Sequence, residues 1–261
     1  MKKGWESKEL GDVCLLDKKK HDGRDLPYVG MEDISSGTGL FLGSAAPHKV
    51  KSATFTFTQN HVLYGRLRPY LNKALIPDFT GHCSTEVFPL LPEETLNQTF
   101  LFYWLTAESQ VTKINGTCTG ARMPRANFKE VLTFPIPIPP LSEQEEIVEV
   151  LDKAFAAIDQ AKANIEQNIA NAKELFKSLL QKAFAGELTS QINQGAGMKK
   201  GWGIKKLGTL VKTSSGGTPL KSKKNYYEGG DIPWLLSGEV SQGEIFQAKN
   251  HITQLGLELI C

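Results

Sequence analysis

The sequence predicts an α/β chain of mixed α+β character: one domain with a mixed β-sheet, a long coiled-coil helix, and the start of a second copy of the domain. Three observations predict it. Over residues 1–140 short apolar segments alternate with Gly, Pro and Asn turn signals. Residues 142–185 contain neither Pro nor Gly and carry an apolar stripe at spacings of three and four. The opening Met1-Lys2-Lys3-Gly4-Trp5-Glu6-Ser7-Lys8-Glu9-Leu10-Gly11 returns as Met198-Lys199-Lys200-Gly201-Trp202-Gly203-Ile204-Lys205-Lys206-Leu207-Gly208, identical at eight of eleven positions.

In the first copy, Val62-Leu63-Tyr64 and Glu86-Val87-Phe88-Pro89-Leu90-Leu91 read as strands. Asn97 reads as the cap of one helix whose stripe Phe100, Leu101, Trp104, Leu105 and Val111 faces the core and ends near Gly116. Asn127 starts a short turn through Leu132. Phe134-Pro135-Ile136-Pro137-Ile138-Pro139-Pro140 must be extended, because each Pro disfavours helix for the residue before it, so it forms a stiff exit from the domain.

Ser142-Glu143-Gln144-Glu145 has the form of a capping box, in which serine and glutamate satisfy each other's backbone N–H groups. Five acids by residue 152 and Lys177 and Lys182 near the end complement the helix dipole. At 1.5 Å per residue this helix is roughly 66 Å long. Ile147, Leu151, Ala154, Ile158, Ala161, Ile165, Ala172, Leu175 and Leu179 form its seam. Ile169, Phe176, Ala183 and Phe184 widen the stripe. Asn168 falls where the heptad asks for an apolar residue, either fixing register or lying at the edge of a drifting stripe. The predicted divisions are a first domain over 1–140, the helix over 141–188, a polar linker over 189–197, and a shortened second domain over 198–261. In that second copy Ile232-Pro233-Trp234 through Gly243 aligns without a gap to Leu26-Pro27-Tyr28 through Gly37.

Composition narrows the function classes. With 40% apolar and 22% charged residues the chain reads as a soluble globular protein, with no apolar run long enough to span a bilayer and no export signal, and a cytoplasmic site is expected. Net charge is +2, −4 and +4 over residues 1–140, 141–190 and 191–261. The helix is therefore the segment least suited to phosphate. Cys14, Cys83, Cys118 and Cys261 are too widely spaced for a metal site or a disulfide framework and read as buried thiols; no metal is expected. The five histidines are scattered, Glu32/Asp33 and Glu93/Glu94 point in different directions on a strand, and Ser214-Ser215-Gly216-Gly217-Thr218-Pro219 reads as a turn rather than a phosphate loop. No catalytic constellation is visible.

Basic clusters are visible. Gly65-Arg66-Leu67-Arg68-Pro69-Tyr70-Leu71-Asn72-Lys73 joins two guanidinium groups, a phenol, an amide and an ammonium, the donors suited to phosphates and base edges. Thr117-Cys118-Thr119-Gly120-Ala121-Arg122-Met123-Pro124-Arg125-Ala126-Asn127 is a second cluster, with Thr119, Arg122 and Arg125 as candidates. No acid lies within either cluster to neutralise it. Lys18, Lys19 and Lys20 form a third, which a plain solvated surface explains as well as DNA does.

These residues resemble the DNA specificity subunits of type I restriction-modification systems. The likeness rests on Gly4-Trp5 with Lys8, Leu10 and Gly11, on Leu63-Tyr64-Gly65 through Lys73, and on Ile136-Pro137-Ile138-Pro139-Pro140-Leu141-Ser142-Glu143-Gln144 leading to Phe184-Ala185-Gly186-Glu187-Leu188. The resemblance implies target recognition domains separated by a spacer helix and, in the full pattern, a second helix pairing antiparallel with the first. It implies a non-catalytic subunit that reads split double-stranded DNA. It further implies methylation subunits carrying S-adenosylmethionine and, through them, restriction subunits using ATP, with no cofactor on this chain. Relative to that pattern the second domain is cut short, so a homodimer through Ile147, Leu151, Ile158, Ile165, Asn168, Ala172, Leu175 and Leu179 is expected. Two other readings stand beside it: a coiled-coil adaptor that does not read DNA, and a nuclease or methyltransferase with a cryptic site.

Overall fold

The computed structural model describes residues 4–188, 203–213, 216–240 and 244–259. The predicted linker 189–197, the returning Met198–Trp202, Ser214–Ser215, Ser241–Gly243 and Cys261 lie outside them. The chain divides into two compact units, Met1–Ala170 and Asn171–Cys261.

In the first unit the strands are β1 Glu6–Glu9, β2 Cys14–Leu16, β3 Tyr28–Val29, β4 Thr54–Phe57, β5 Val62–Gly65, β6 Ala74–Leu75, β7 Gly81–Ser84, β8 Val87–Pro92 and β9 Pro135–Ile138. A four-stranded antiparallel sheet runs β2-β8-β5-β6, and a mixed three-stranded sheet runs β3-β7-β4, with β3 parallel to β7. Successive side chains on a strand point to opposite faces, and the sequence uses both. Val62 and Tyr64 of β5 join Phe88 and Leu90 of β8 in one apolar cluster. Leu63 and Val87, at alternate positions on the same strands, face a second cluster with Val29, Phe57 and Cys83. Strands buried on both faces read as continuous apolar runs, which explains Val62-Leu63-Tyr64.

Three helices close the first cluster: α1 Gln98–Thr106, α2 Glu108–Gly116 and α3 Phe128–Val131. Asn97 caps α1 as expected, its side chain accepting from Phe100 N at 3.0 Å, and Phe100, Leu101, Trp104 and Leu105 are buried. The single helix expected from 97 to 116 is instead two, broken at Ala107, whose ψ of 134° is extended. Two contacts accompany the break. Thr106 Oγ1 donates back to the Phe102 carbonyl at 2.8 Å, and the Thr106 carbonyl accepts from Asn72 Nδ2 at 2.9 Å. A threonine bonded back in this way bends a helix, and the distant amide occupies a carbonyl that the next turn would use. After the break Ile114, not Val111, turns into the core.

β9 is extended, as its prolines require. It pairs antiparallel with β1, Lys8 opposite Ile136 and Glu6 opposite Ile138, so it closes the domain on its own first strand. Alternate prolines allow this in an outer strand, where only every second N–H faces the partner.

The long helix, α4, is Leu141–Phe184 without interruption. The capping box is a correction. The Pro140 carbonyl accepts from Glu143 N at 2.9 Å and Gln144 N at 3.0 Å, so Pro140 stands at the cap and Ser142 lies within the first turn. The C-terminus closes with a left-handed Gly186 at φ 78°, Gly186 N donating to Ala183 O at 3.1 Å and Glu187 N to Lys182 O at 2.9 Å. That is the glycine-terminated pairing in which the last orphan carbonyls find donors.

The second unit holds the C-terminal turns of α4, strands β10 Ile232–Trp234 and β11 Asn250–Ile252 in an antiparallel pair, and short helices α5 Ser237–Val240 and α6 Gln254–Glu258. Local structure repeats along with sequence. One turn of 3-10 helix forms at Leu10–Asp12 and again at Leu207–Thr209. Asp33 accepts from Gly30 N at 2.7 Å, and the aligned Glu239 accepts from Leu236 N at 2.9 Å. Burial does not repeat: Leu10 is 0% exposed and Leu207 is 68% exposed. Among the described residues no strand does for Leu207 what β9 does beside Leu10.

Candidate nucleic-acid interface

The two arginine clusters, about 50 residues apart in sequence, form one surface. Residues 66–73 follow β5, residues 117–127 join α2 to α3, and their backbones are paired. Arg68 N donates to Pro124 O at 2.8 Å and Ala126 N to Arg66 O at 2.9 Å, while within the second loop Thr119 and Arg125 exchange two bonds of 3.1 Å. Arg68 and Asn72 flank a 3-10 turn, Pro69–Leu71, and both are left-handed, with φ of 52° and 48°. A non-glycine residue rarely adopts that conformation, and held strain of this kind concentrates at functional loops. The turn presents Tyr70 to solvent.

The arginines are not equivalent. Arg125 grips Glu86 through Nε at 2.9 and 3.1 Å and Nη2 at 2.9 Å, and Arg66 Nε lies 3.4 Å from the same carboxylate. The absence of a neutralising acid, read from each cluster alone, is therefore corrected: Glu86 comes from the two-residue corner between β7 and β8. Arg66 and Lys18 both lie over the Phe88 ring, at 5.0 and 4.7 Å from its centroid. Lys18 thus belongs to the same neighbourhood. Arg68, Arg122 and Thr119 are exposed, and neither Arg68 nor Arg122 has an ion pair among the described residues.

Asn72 and Lys73 are held by the fold. Asn72 Nδ2 is bonded to Thr106 O, and Lys73 Nζ donates to the Met31 carbonyl at 2.6 Å. Lys19 and Lys20 are exposed beside β4: Lys19 O accepts from Thr56 N, and Lys20 bridges Phe55. Cys14 and Cys83 are buried as read, Cys118 is half-buried, and burial pushes the Cys14 thiol up to about 12. Among the described residues no group of three or more His, Cys, Asp or Glu is arranged to hold a metal ion, and no helix is long and apolar enough to cross a membrane.

Along α4 the seam divides. Ile147 packs with Val148 against the domain core, and Leu151 is half-buried. Ile147 and Leu151 therefore leave less apolar surface open than the seam residues further along. Beyond them Ile158, Ile165, Leu175 and Leu179 are 43–60% exposed, and Asn168 and Ala172 are exposed with them.

Residues 2–171 match the family described as the type I restriction modification DNA specificity domain. The chain belongs to this specificity family. It is 30% identical over 185 residues to the EcoDI specificity subunit of Escherichia coli, across 70% of this chain and 41% of that protein. It is 21% identical to the MjaIX specificity subunit of Methanocaldococcus jannaschii, across 98% of this chain and 62% of that one. Among solved structures, the HsdS subunit from Thermoanaerobacter tengcongensis shares the fold with a TM-score of 0.65 and 24% identity, over 97% of this chain and 65% of that chain. The chain therefore spans roughly two-fifths to two-thirds of the length of these relatives.

Within the specificity-domain match, the structure explains motifs whose purpose sequence reasoning missed. The Trp5 indole N–H donates to Glu143 Oε2 at 3.1 Å, joining the Gly-Trp opening to the start of α4. Gln144 is fully buried: Oε1 accepts from Asn97 N at 2.8 Å, and Nε2 donates to Thr95 O and Pro139 O at 2.9 Å each. Tyr103 donates to Asp152 and stacks on Phe155. Gln144, flanked by Ser142, Glu143, Glu145 and Glu146, carried no sequence signal that set it apart for burial. Glu86 carried none.

Proposed function

We propose that this chain is the sequence-reading subunit of a type I restriction-modification complex, a non-catalytic protein that directs partner subunits to double-stranded DNA. The observation that carries the reading is the backbone-paired surface of the two arginine loops, which lies inside the residues that match the specificity family. Arg68, Tyr70, Thr119 and Arg122 are its open donors, Arg66, Arg125 and Lys18 its held ones, and Asn72 and Lys73 brace the loop. Lys19 and Lys20 add positive charge at the margin. Arg forks select guanine edges and any cation attracts phosphate, so this mixture suits reading as well as attachment.

The partners follow from the same family membership: methylation subunits that carry S-adenosylmethionine and, through them, restriction subunits that use ATP, with no cofactor on this chain and with a cytoplasmic place of work. The exposed seam of α4 from Ile158 to Leu179 supports assembly through the helix, including a homodimer of two such chains. An adaptor that ignores DNA is not favoured, because the family match takes in the arginine-bearing domain as well as the helix. Co-expression of the full chain with a methylation subunit, co-purification, and methylome sequencing test the reading. A new methylated adenine motif that depends on Arg68 and Arg122 is expected. Co-purification without any motif would overturn DNA reading.

A further inference from the structure

We propose that Glu86 is a positioning residue that sets sequence specificity by holding Arg66 and Arg125 as a rigid pair beside the open Arg68 and Arg122. The proposal rests on the DNA-reading function above. One carboxylate faces two guanidinium groups that arrive from different loops, with three contacts of 2.9–3.1 Å to Arg125 and a longer ion pair of 3.4 Å to Arg66 Nε, which makes no hydrogen bond. The three side chains remain a quarter to a third exposed, and Arg125 Nη1 also donates to the Met123 carbonyl at 3.4 Å, which fixes that guanidinium further. Arg66 is further confined by the Phe88 ring beneath it, and the Arg66 N and Glu86 O backbone atoms are bonded at 2.9 Å.

Two physical consequences follow. A guanidinium fixed in orientation distinguishes base edges, whereas a mobile one meets any phosphate equally well. The carboxylate also lowers the local charge of the pair from +2 to +1 and repels phosphate, which weakens attachment that reads no bases. Glu86 thus raises discrimination twice, by ordering the donors and by opposing non-specific docking.

The test begins with the full chain selecting from a randomised duplex library. Binding is then measured for the selected duplex and a scrambled duplex of equal composition, across a salt series. A wild-type protein with no preference and no salt dependence would overturn DNA reading itself, before any variant is made. In Glu86→Gln, the scrambled duplex should bind more tightly, the preference should fall by roughly tenfold, the discrimination of about one bidentate contact, and the salt slope should steepen by about one. Arg125→Lys keeps the charge and removes the fork, so its preference should fall while its slope stays at the wild-type value. Unchanged preference in either variant would overturn the proposal. So would equal losses for both duplexes accompanied by a lower melting temperature, the signature of a purely structural ion pair.

Discussion

Gln144 shows how one side chain joins two parts of the chain. Its three hydrogen bonds connect the first turn of α4 to the loop before α1 and to the residue that follows β9, and the Gln144 side chain is itself fully buried. Gln144→Leu fills the volume but strands one N–H and two carbonyls, at about 1–3 kcal/mol for each group left unsatisfied. A melting temperature several degrees below wild type is expected by calorimetry, and an unchanged one would remove the residue from this role. His82 gives a second residue-scale prediction. The His48 carbonyl at 2.9 Å can only accept, so Nε2 carries the proton and Nδ1 accepts from the Thr54 hydroxyl at 3.0 Å. The His21 ring stacks on it at 4.2 Å. Burial holds the His82 pKa below its ordinary 6.5, so near and below that pH the unfolded chain binds the proton more readily. Stability should therefore fall as pH drops below about 6.5, and His82→Gln should flatten that part of a melting-temperature profile.

At the scale of the element, α4 has two parts with different duties. Its first three turns are tied to the domain by Trp5–Glu143, Gln144, Ile147 and Tyr103–Asp152. From Ile158 onward its apolar residues meet solvent in the single chain. A helix of this length with one apolar seam is stable only when the seam is covered, since propensity alone contributes little. Substituting Ile158 and Ile165 with Asp places charges in that seam. The doubly substituted protein should lose its oligomeric mass in light scattering while residues 4–140 keep their near-ultraviolet signal; unchanged mass would refute an assembly role for the seam.

For the whole molecule, pairing of two chains through identical seams is isologous, with twofold symmetry. Such an assembly carries two copies of one arginine surface, so the methylated motif should be split into halves that are inverted repeats. Unrelated halves, or a monomer by analytical ultracentrifugation at tens of micromolar, would contradict it. The second unit bears on this too. It repeats the local turns of the first, yet Leu207 is exposed where Leu10 is buried. Local hydrogen bonds form from a dozen neighbouring residues, whereas burial needs a strand that arrives from far along the chain.

That distinction also separates what was legible in the sequence from what was not. The strand at Val62–Tyr64, the Asn97 cap, the extended Pro-Ile-Pro-Ile segment and the unbroken helix to Phe184 were determined by the sequence alone. Each is governed by residues a few positions apart, through side-chain period, proline geometry or glycine freedom. The break at Ala107, the shift of the helix cap to Pro140, the employment of Lys73 and Asn72 within the fold, and the seating of Arg66 and Arg125 on Glu86 were decided only by tertiary structure. In each, a donor meets an acceptor brought near by the packing of sheet against helix, and separation along the chain says nothing of that distance.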